Sequence, residues 1–343
     1  MTRILAIESS CDETACAMVE DGKTILSNIV SSQINTHTLY GGVVPEVASR
    51  IHVENISAVI EEAVRESGYS VSDADAIAYT LGPGLIGSLH VGVLAAKTLA
   101  FAFHKPLVPV HHIAGHIYAN AFVSELCFPL LALVVSGGHT QLIWMKEDNC
   151  FEEIGTTVDD AIGEAYDKVA RVLDLGYLGG PAIDKLAKQG KKNSDYVLPR
   201  PKTANPYDFS FSGLKTAVLQ LNDRLKRQGK EVSGADLAWC FQETALNLLV
   251  EKTILAAKEY QPKMLVLAGG VAANSRLREL IIERAEELEG IKTVIPPLKY
   301  CTDNAAMIGA AGYAAYCHGE FGTMSDAADP GLEMPGDRTY SSI

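Results

Sequence analysis

The chain has no CxxC pair among its seven cysteines, Cys11, Cys16, Cys127, Cys150, Cys240, Cys301 and Cys317, and their number is odd. That pattern argues against a cysteine zinc ribbon and a disulfide scaffold, and it points to a reducing cytosol. Positive charge is scarce: 29 Lys and Arg against 42 Asp and Glu give a formal net charge of −13. Such a balance argues against a general nucleic-acid binder or a membrane-surface protein, while leaving room for a local basic patch. The most membrane-like stretch, Leu85–Phe103, carries His90 and Lys97, and is read as a buried helix. The first apolar run, Ile4–Ile7, stops at Glu8, so no secretory leader is expected.

Acidic residues are also missing from one region: there is no Asp or Glu between Asp75 and Glu125. This bears on Gly82-Pro-Gly84-Leu-Ile-Gly87, which has GxGxxG spacing between an expected strand and helix. A dinucleotide site needs an acidic residue about 20 positions on, to bind the ribose hydroxyl. With none there, the glycines are read as a tight turn and close helix packing. Gly22-Lys23-Thr24 ends like a P-loop, but Ala17 stands where the earlier glycine is required.

What is present is ample apolar material, 48% of 343 residues, enough for two cores. The N-terminus reads strand (Arg3–Ile7), polar turn (Glu8–Thr14), strand (Ala15–Val19), then an Asp21-Gly22 hairpin turn. A helix is predicted over Pro45–Ser67, with Val53, Ile56, Ile60 and Ala63 on one face. A strand (Ala76–Thr80), the helix from Leu85 and a short strand (Leu107–Val110) follow. The pattern then starts again: strand Leu131–Val135, polar turn Ser136–Thr140, strand Gln141–Met145. Helices Asp160–Leu173 and Ala235–Tyr260, strand Met264–Ala268 and a helix capped by Asn274 complete it. Such a repeat suggests a duplicated α/β domain, with both polar turns placed to bind ligand at strand ends.

Within this frame four groups carry chemistry. His112 and His116 lie four apart, a helical spacing suited either to a shared metal or to two buried hydrogen-bonded rings. The intervening Ile113, Ala114 and Gly115 lack the Glu of a zinc protease motif. Asp303, before the small-residue helix Ala305–Tyr316, is read either as a third ligand or as a helix cap. Asp160, Glu164 and Asp167 share a helix face, either solvated or lining a polar site, and Asp184 is either a cap or a hydroxyl-binding carboxylate. Finally, residues 171–230 hold 12 Lys and Arg against 5 Asp and Glu. Tyr177, Tyr196, Tyr207, Phe209 and Phe211 are interleaved with them, a pattern of phosphate contact plus base stacking or of a solvated basic surface.

These residues together resemble the TsaD/Gcp family, the tRNA adenosine threonylcarbamoyltransferases, over nearly the whole chain. The resemblance is carried by Ile7–Thr14, Tyr40–Glu46, Gly82–Leu85, His112 with His116, Val135–Gln141, Phe209–Lys215, Ala268–Val271 and Cys301–Asn304. It implies the actin-like ATPase fold, an α/β architecture of two ribonuclease-H-like domains facing a central cleft. The implied domains are 1–125, joined by about 305–343, and 126–304. It implies transfer of a threonylcarbamoyl group from threonylcarbamoyl-adenylate to the exocyclic amine of the adenosine beside the anticodon, in tRNAs reading ANN codons, with release of AMP.

The resemblance also implies one divalent metal ion, Fe2+ ahead of Zn2+, on His112, His116 and Asp303. The adenylate would be held by Val135, Ser136, Gly137, Gly138, His139, Asp167, Gly180, Asp184 and Asn274. Asp12 and Glu13 are expected to position the amine or move its proton. The implied partners are tRNA, an inactive paralogous subunit and a small P-loop ATPase. The surface near Glu46–Ser67 is expected to receive the paralogue. The competing readings are a metal-dependent endopeptidase and a small-molecule kinase of the same fold.

Overall fold

The computed structural model describes residues 1–334. Five strands alternate with helices in the first part: β1 (Arg3–Glu8), β2 (Glu13–Glu20), β3 (Thr24–Ser32), α1 (Ile34–Thr38) and α2 (Pro45–Ser67). Then come β4 (Ala76–Gly82), α3 (Ile86–Phe103), β5 (Leu107–His111) and α4 (His112–Tyr118). The second part holds β6 (Leu130–Val135), β7 (Thr140–Met145), β8 (Glu152–Thr156), α5 (Ile162–Val172), α6 (Gly179–Ala187) and α7 (Ser212–Arg227). It continues with α8 (Gly234–Tyr260), β9 (Met264–Ala268), α9 (Ser275–Ala285) and β10 (Lys292–Val294), and α10 (Ala305–Cys317) closes the described chain.

The chain divides into two units. Unit 1 comprises 1–126, 147–151 and 296 onward; unit 2 comprises 127–146 and 152–295. The crossing back therefore falls at Pro296 rather than near 305, so Asp303 belongs to unit 1. The physical reason is local: Asn304 caps α10 by accepting from the Met307 amide at 3.0 Å, which ties the preceding turn to that helix. Residues 335–343 of the segment assigned to the first domain lie outside the described residues.

Each unit is built on a five-stranded sheet, ordered β3-β2-β1-β4-β5 in unit 1 and β8-β7-β6-β9-β10 in unit 2. In both, the first three strands pair antiparallel, and the first strand pairs parallel with the fourth, as the fourth does with the fifth. The repeat read from the sequence is thus a repeat of topology. Near-continuous apolar runs form the central strands, because helices cover both faces of the unit 1 sheet.

On one face, α2 and α3 bury Ile56, Val59, Leu89 and Val93 against Leu5, Ile7, Met18 and Ile77. The buried stripe of α2 is Ala48, His52, Ile56, Val59 and Ala63. Val53, placed on that stripe by periodicity, is 64% exposed. The helix α3 is partly buried rather than buried, since it packs with only one face. Leu94 and Phe101 stay in contact with solvent. On the other face α10 lies close to the sheet. A Cβ at Gly309 would stand 2.6 Å from Val19 Cγ2, and one at Gly312 equally near Ala78 Cβ. That approach is why the helix is made of small residues.

Candidate functional site

In unit 1 the parallel strands β1, β4 and β5 end at Glu8, Gly82 and His111, and the functional side chains gather beyond those ends. His112 and His116 occupy α4 one turn apart, with ring centroids 4.7 Å apart and planes at 82°. Asp303 comes to them from the turn before α10. Its Oδ1 stands 3.2 Å from His116 Nε2 and 3.6 Å from His112 Nε2. Asn304, not Asp303, caps the helix, so the Asp303 carboxylate faces the two rings. One ligand atom from each of the three lies within 4.8 Å of the others.

The fit to a metal can be judged from His116. Its ring is buried, and neither Nδ1 nor Nε2 has a hydrogen-bond partner. Burying two unsatisfied polar nitrogens is costly, and a coordinating cation removes part of that cost. Two imidazoles and one carboxylate also suit iron or zinc, and leave coordination positions open. The triad can hold a divalent metal. Burial alone would lower the His112 pKa, but Asp303 and Glu8 push it up to about 9.

Asp12 ends the turn between β1 and β2, and Glu13 opens β2. The Asp12 carbonyl accepts from the Gln33 amide at 3.0 Å, and Glu13 Oε1 accepts from Ser32 Oγ at 3.0 Å. Burial, then the charges of Asp303 and Asp12, push Glu13 up to about 9. In the sequence, Glu8 is read as the end of an apolar run and the start of a polar turn, with no role of its own. In the structure it is fully buried at the end of β1, with Oε2 3.0 Å from His112 Nδ1. Nothing nearby in the sequence marks that pairing, because its partner is 104 residues away.

In unit 2 the turn Ser136–His139 joins β6 to β7. Ser136 N donates to His139 O at 2.8 Å, and His139 N to Ser136 Oγ at 3.1 Å. A Cβ built on Gly137, Gly138 or Gly180 meets nothing within 4 Å. Gly163 and Gly269 differ. A Cβ at Gly163 would lie 2.6 Å from Ser136 O, and one at Gly269 only 2.4 Å from Val135 O. These two glycines seat the turn closely; Gly269 falls in the Ala268–Val271 motif, whereas nothing in the sequence pattern singles out Gly163.

The remaining predicted binding residues lie elsewhere in unit 2. Asp167 Oδ1 accepts from Gly179 N at 2.8 Å, next to Gly180, and burial raises its pKa. Asp184 lies in the middle of α6, so it is not a cap, and it accepts from Ser275 Oγ at 3.0 and 2.9 Å. Asn274 Oδ1 caps α9 through Leu277 N at 2.9 Å, while Nδ2 donates to Gln242 Oε1 at 3.0 Å. The acids Asp160 and Glu164 are paired with Lys168 at 2.7 and 2.8 Å, so their mutual repulsion is relieved.

Of the five aromatics interleaved with the basic stretch, Tyr177 is half-buried and the other four are buried. Tyr196, Tyr207, Phe209 and Phe211 are buried in unit 2, so they cannot stack on bases. Their apolar mass serves the core. Arg200 is paired with Glu251 at 2.5 Å, while Lys202, Lys226 and Arg227 are exposed.

Solved structures with this arrangement include T. kodakarensis HypF, at TM-score 0.65 and 15% identity over 93% of this chain and 48% of that protein. Component A of the Acidaminococcus fermentans (R)-2-hydroxyglutaryl-CoA dehydratase aligns at TM-score 0.52 and 16% identity, over 92% of this chain and 97% of that one. With the doubled sheet order, these likenesses define the actin-like ATPase fold. The profile of the tRNA N6-adenosine threonylcarbamoyltransferases (TsaD) matches residues 24–310. The Bacillus subtilis (strain 168) enzyme of that name is 56% identical over 99% of this chain and 97% of its own length. That of Geobacillus thermodenitrificans (strain NG80-2) is 56% identical over 96% of both. The chain belongs to the tRNA N6-adenosine threonylcarbamoyltransferase family and is a transferase of tRNA modification.

Proposed function

We propose that the chain transfers the threonylcarbamoyl group of threonylcarbamoyl-adenylate to the exocyclic amine of the adenosine beside the anticodon in tRNAs reading ANN codons, with release of AMP. The observation that carries the site assignment is the buried His116 ring, without a hydrogen bond at either nitrogen and with Nε2 facing Asp303. It supports His112, His116 and Asp303 as the seat of one divalent metal, which we assign as Fe2+ ahead of Zn2+. When bound, such an ion supplies Lewis acidity and a clamp for phosphate or carbonyl oxygens.

The chain's own residues do the rest. Gly137 and Gly138, bare toward open space, let backbone N–H groups approach the phosphate of the adenylate. Asp184, Asp167 and Gly180 bind its ribose and threonyl hydroxyls, and Val135, Ser136, His139 and Asn274 shape the floor. The adenylate already carries a good leaving group, so orientation and charge stabilisation dominate. Asp12 takes the proton from the incoming amine at a carboxylate oxygen. Glu13, whose carboxyl is pushed by burial toward the protonated form, positions the acceptor by hydrogen bonding.

We place tRNA phosphates along the exposed Lys202, Lys226 and Arg227, and assign the protein to the cytoplasm. A paralogous subunit is placed on the α2–α3 face, where Ile56, Ile60, Leu94 and Phe103 line an apolar groove of about 650 Å3. A small P-loop ATPase completes the proposed assembly. The test is incubation with labelled threonylcarbamoyl-adenylate, tRNA and the two partner proteins. Label recovered on a tRNA adenosine with matching AMP supports the reading; label that never reaches tRNA contradicts it.

A further inference from the structure

Glu8 is a fully buried carboxylate for which the transfer reaction itself has no use. Every element around it holds it still. Thr80 Oγ1, from β4, donates to Oε2 at 2.6 Å, and the Ser10 amide donates to Oε1 in a very short bond. Oε2 then lies 3.0 Å from His112 Nδ1. Ser10 Oγ also approaches that nitrogen, at 3.2 Å, so the carboxylate is the nearer and the charged partner.

From this geometry we infer that Glu8 is a positioning residue for the metal site, acting through His112. In the neutral ring that a metal binds, a buried carboxylate against Nδ1 favours the proton there, which leaves Nε2 as the lone-pair donor. Nε2 is the nitrogen that faces Asp303, at 3.6 Å. A metal-ligating histidine whose other nitrogen donates to a carboxylate is fixed in tautomer and ring orientation and is a more basic ligand. The two histidines are therefore unequal: His112 is held from behind by Glu8, whereas His116 has no hydrogen bond at either nitrogen. Thr80 and the Ser10 amide keep the carboxylate from turning, so β4 and the β1–β2 turn also determine the aim of His112.

The inference rests on the metal assignment above, and two measurements on the full chain separate the two. Zinc affinity is read by chelator competition for the parent, Glu8→Gln and Thr80→Val. Glu8→Gln keeps the size of the side chain and is expected to lose about 10–100-fold in zinc affinity. Thr80→Val, which removes only the anchor, is expected to lose a few-fold, while both variants unfold cooperatively. Histidine-selective 15N spectra of the zinc-loaded parent are expected to show His112 protonated at Nδ1 and metallated at Nε2. In Glu8→Gln that Nδ1–H signal is expected to shift and exchange faster, while His116 is little changed. Parent-like zinc affinity in both folded variants, or metallation of His112 through Nδ1, overturns the inference. Zinc that leaves both histidines of the parent unmoved overturns the metal assignment itself.

Discussion

His52, on α2, donates its Nε2–H to the Cys11 carbonyl at 2.9 Å while its Nδ1 accepts from Thr14 Oγ1 at 2.7 Å. One buried ring thus brackets Asp12 and Glu13, the two acids where the β1–β2 turn enters β2. Burial holds the His52 pKa below its usual 6.5, against the opposing pull of the Cys11 carbonyl, Glu8 and Asp12. The folded state therefore favours the neutral ring. Its contribution to stability is complete above about pH 6.5, the unfolded value, and is lost as pH falls below it. In urea titrations between pH 7.5 and 5, His52→Gln is expected to show a flatter decline in stability than the parent. Equal slopes in the two proteins contradict a neutral buried His52.

The glycine turn of unit 2 separates two kinds of glycine. Gly137→Ala and Gly138→Ala meet open space and are expected to fold like the parent while weakening adenylate binding. Gly163→Ala drives a methyl into Ser136 O and is expected to cost about 1–3 kcal/mol of stability, as overpacking does. Thermal melts and calorimetry with a non-hydrolysable adenylate check both. Parent-like adenylate affinity in both Gly137→Ala and Gly138→Ala would place the nucleotide elsewhere.

Asp184 and Asn274 are expected to differ for a related reason. Asn274→Ala removes the cap of α9, so it is expected to lower stability by about 1 kcal/mol as well as weaken the adenylate. Asp184→Ala leaves that cap in place, and is expected to weaken the adenylate by roughly 1–3 kcal/mol through orphaned polar partners. Calorimetry showing unchanged affinity in Asp184→Ala would remove it from the site.

Much of the fold is legible in the sequence where local physics decides the outcome. Pro45 opens α2, and Gly68, at φ 74°, lies just beyond its end, so the predicted helix coincides with the observed one. The run Met264–Ala268 could only be a buried strand. β8, α6 and α7 are harder to see, because Glu152–Thr156 has a polar edge and Gly179-Gly-Pro181 looks like a loop. What stays hidden is long-range. The aromatics among the basic residues point into the core, which charge counting cannot reveal. Glu8 and Gly163 act on partners far along the chain, and only folding brings them together.

For tRNA, with four of the five aromatics buried, the basic stretch is expected to contribute mainly through electrostatics. Neutralising Lys202, Lys226 and Arg227 is expected to lower tRNA affinity. Its salt response should flatten by about one unit of log–log slope for each phosphate no longer engaged. Adenylate affinity is expected to stay unchanged. A parent-like salt slope in the full assembly would show that this face does not dock tRNA.

His112, His116 and Asp303 are proposed to hold a metal that the transfer requires. The most direct measurement is metal content and single-turnover transfer to tRNA, side by side, in the His112→Ala/His116→Ala double variant. The expected result is a folded protein without stoichiometric metal that still binds the adenylate and transfers almost no threonylcarbamoyl group. Full metal content, or transfer at the parent rate, would contradict it.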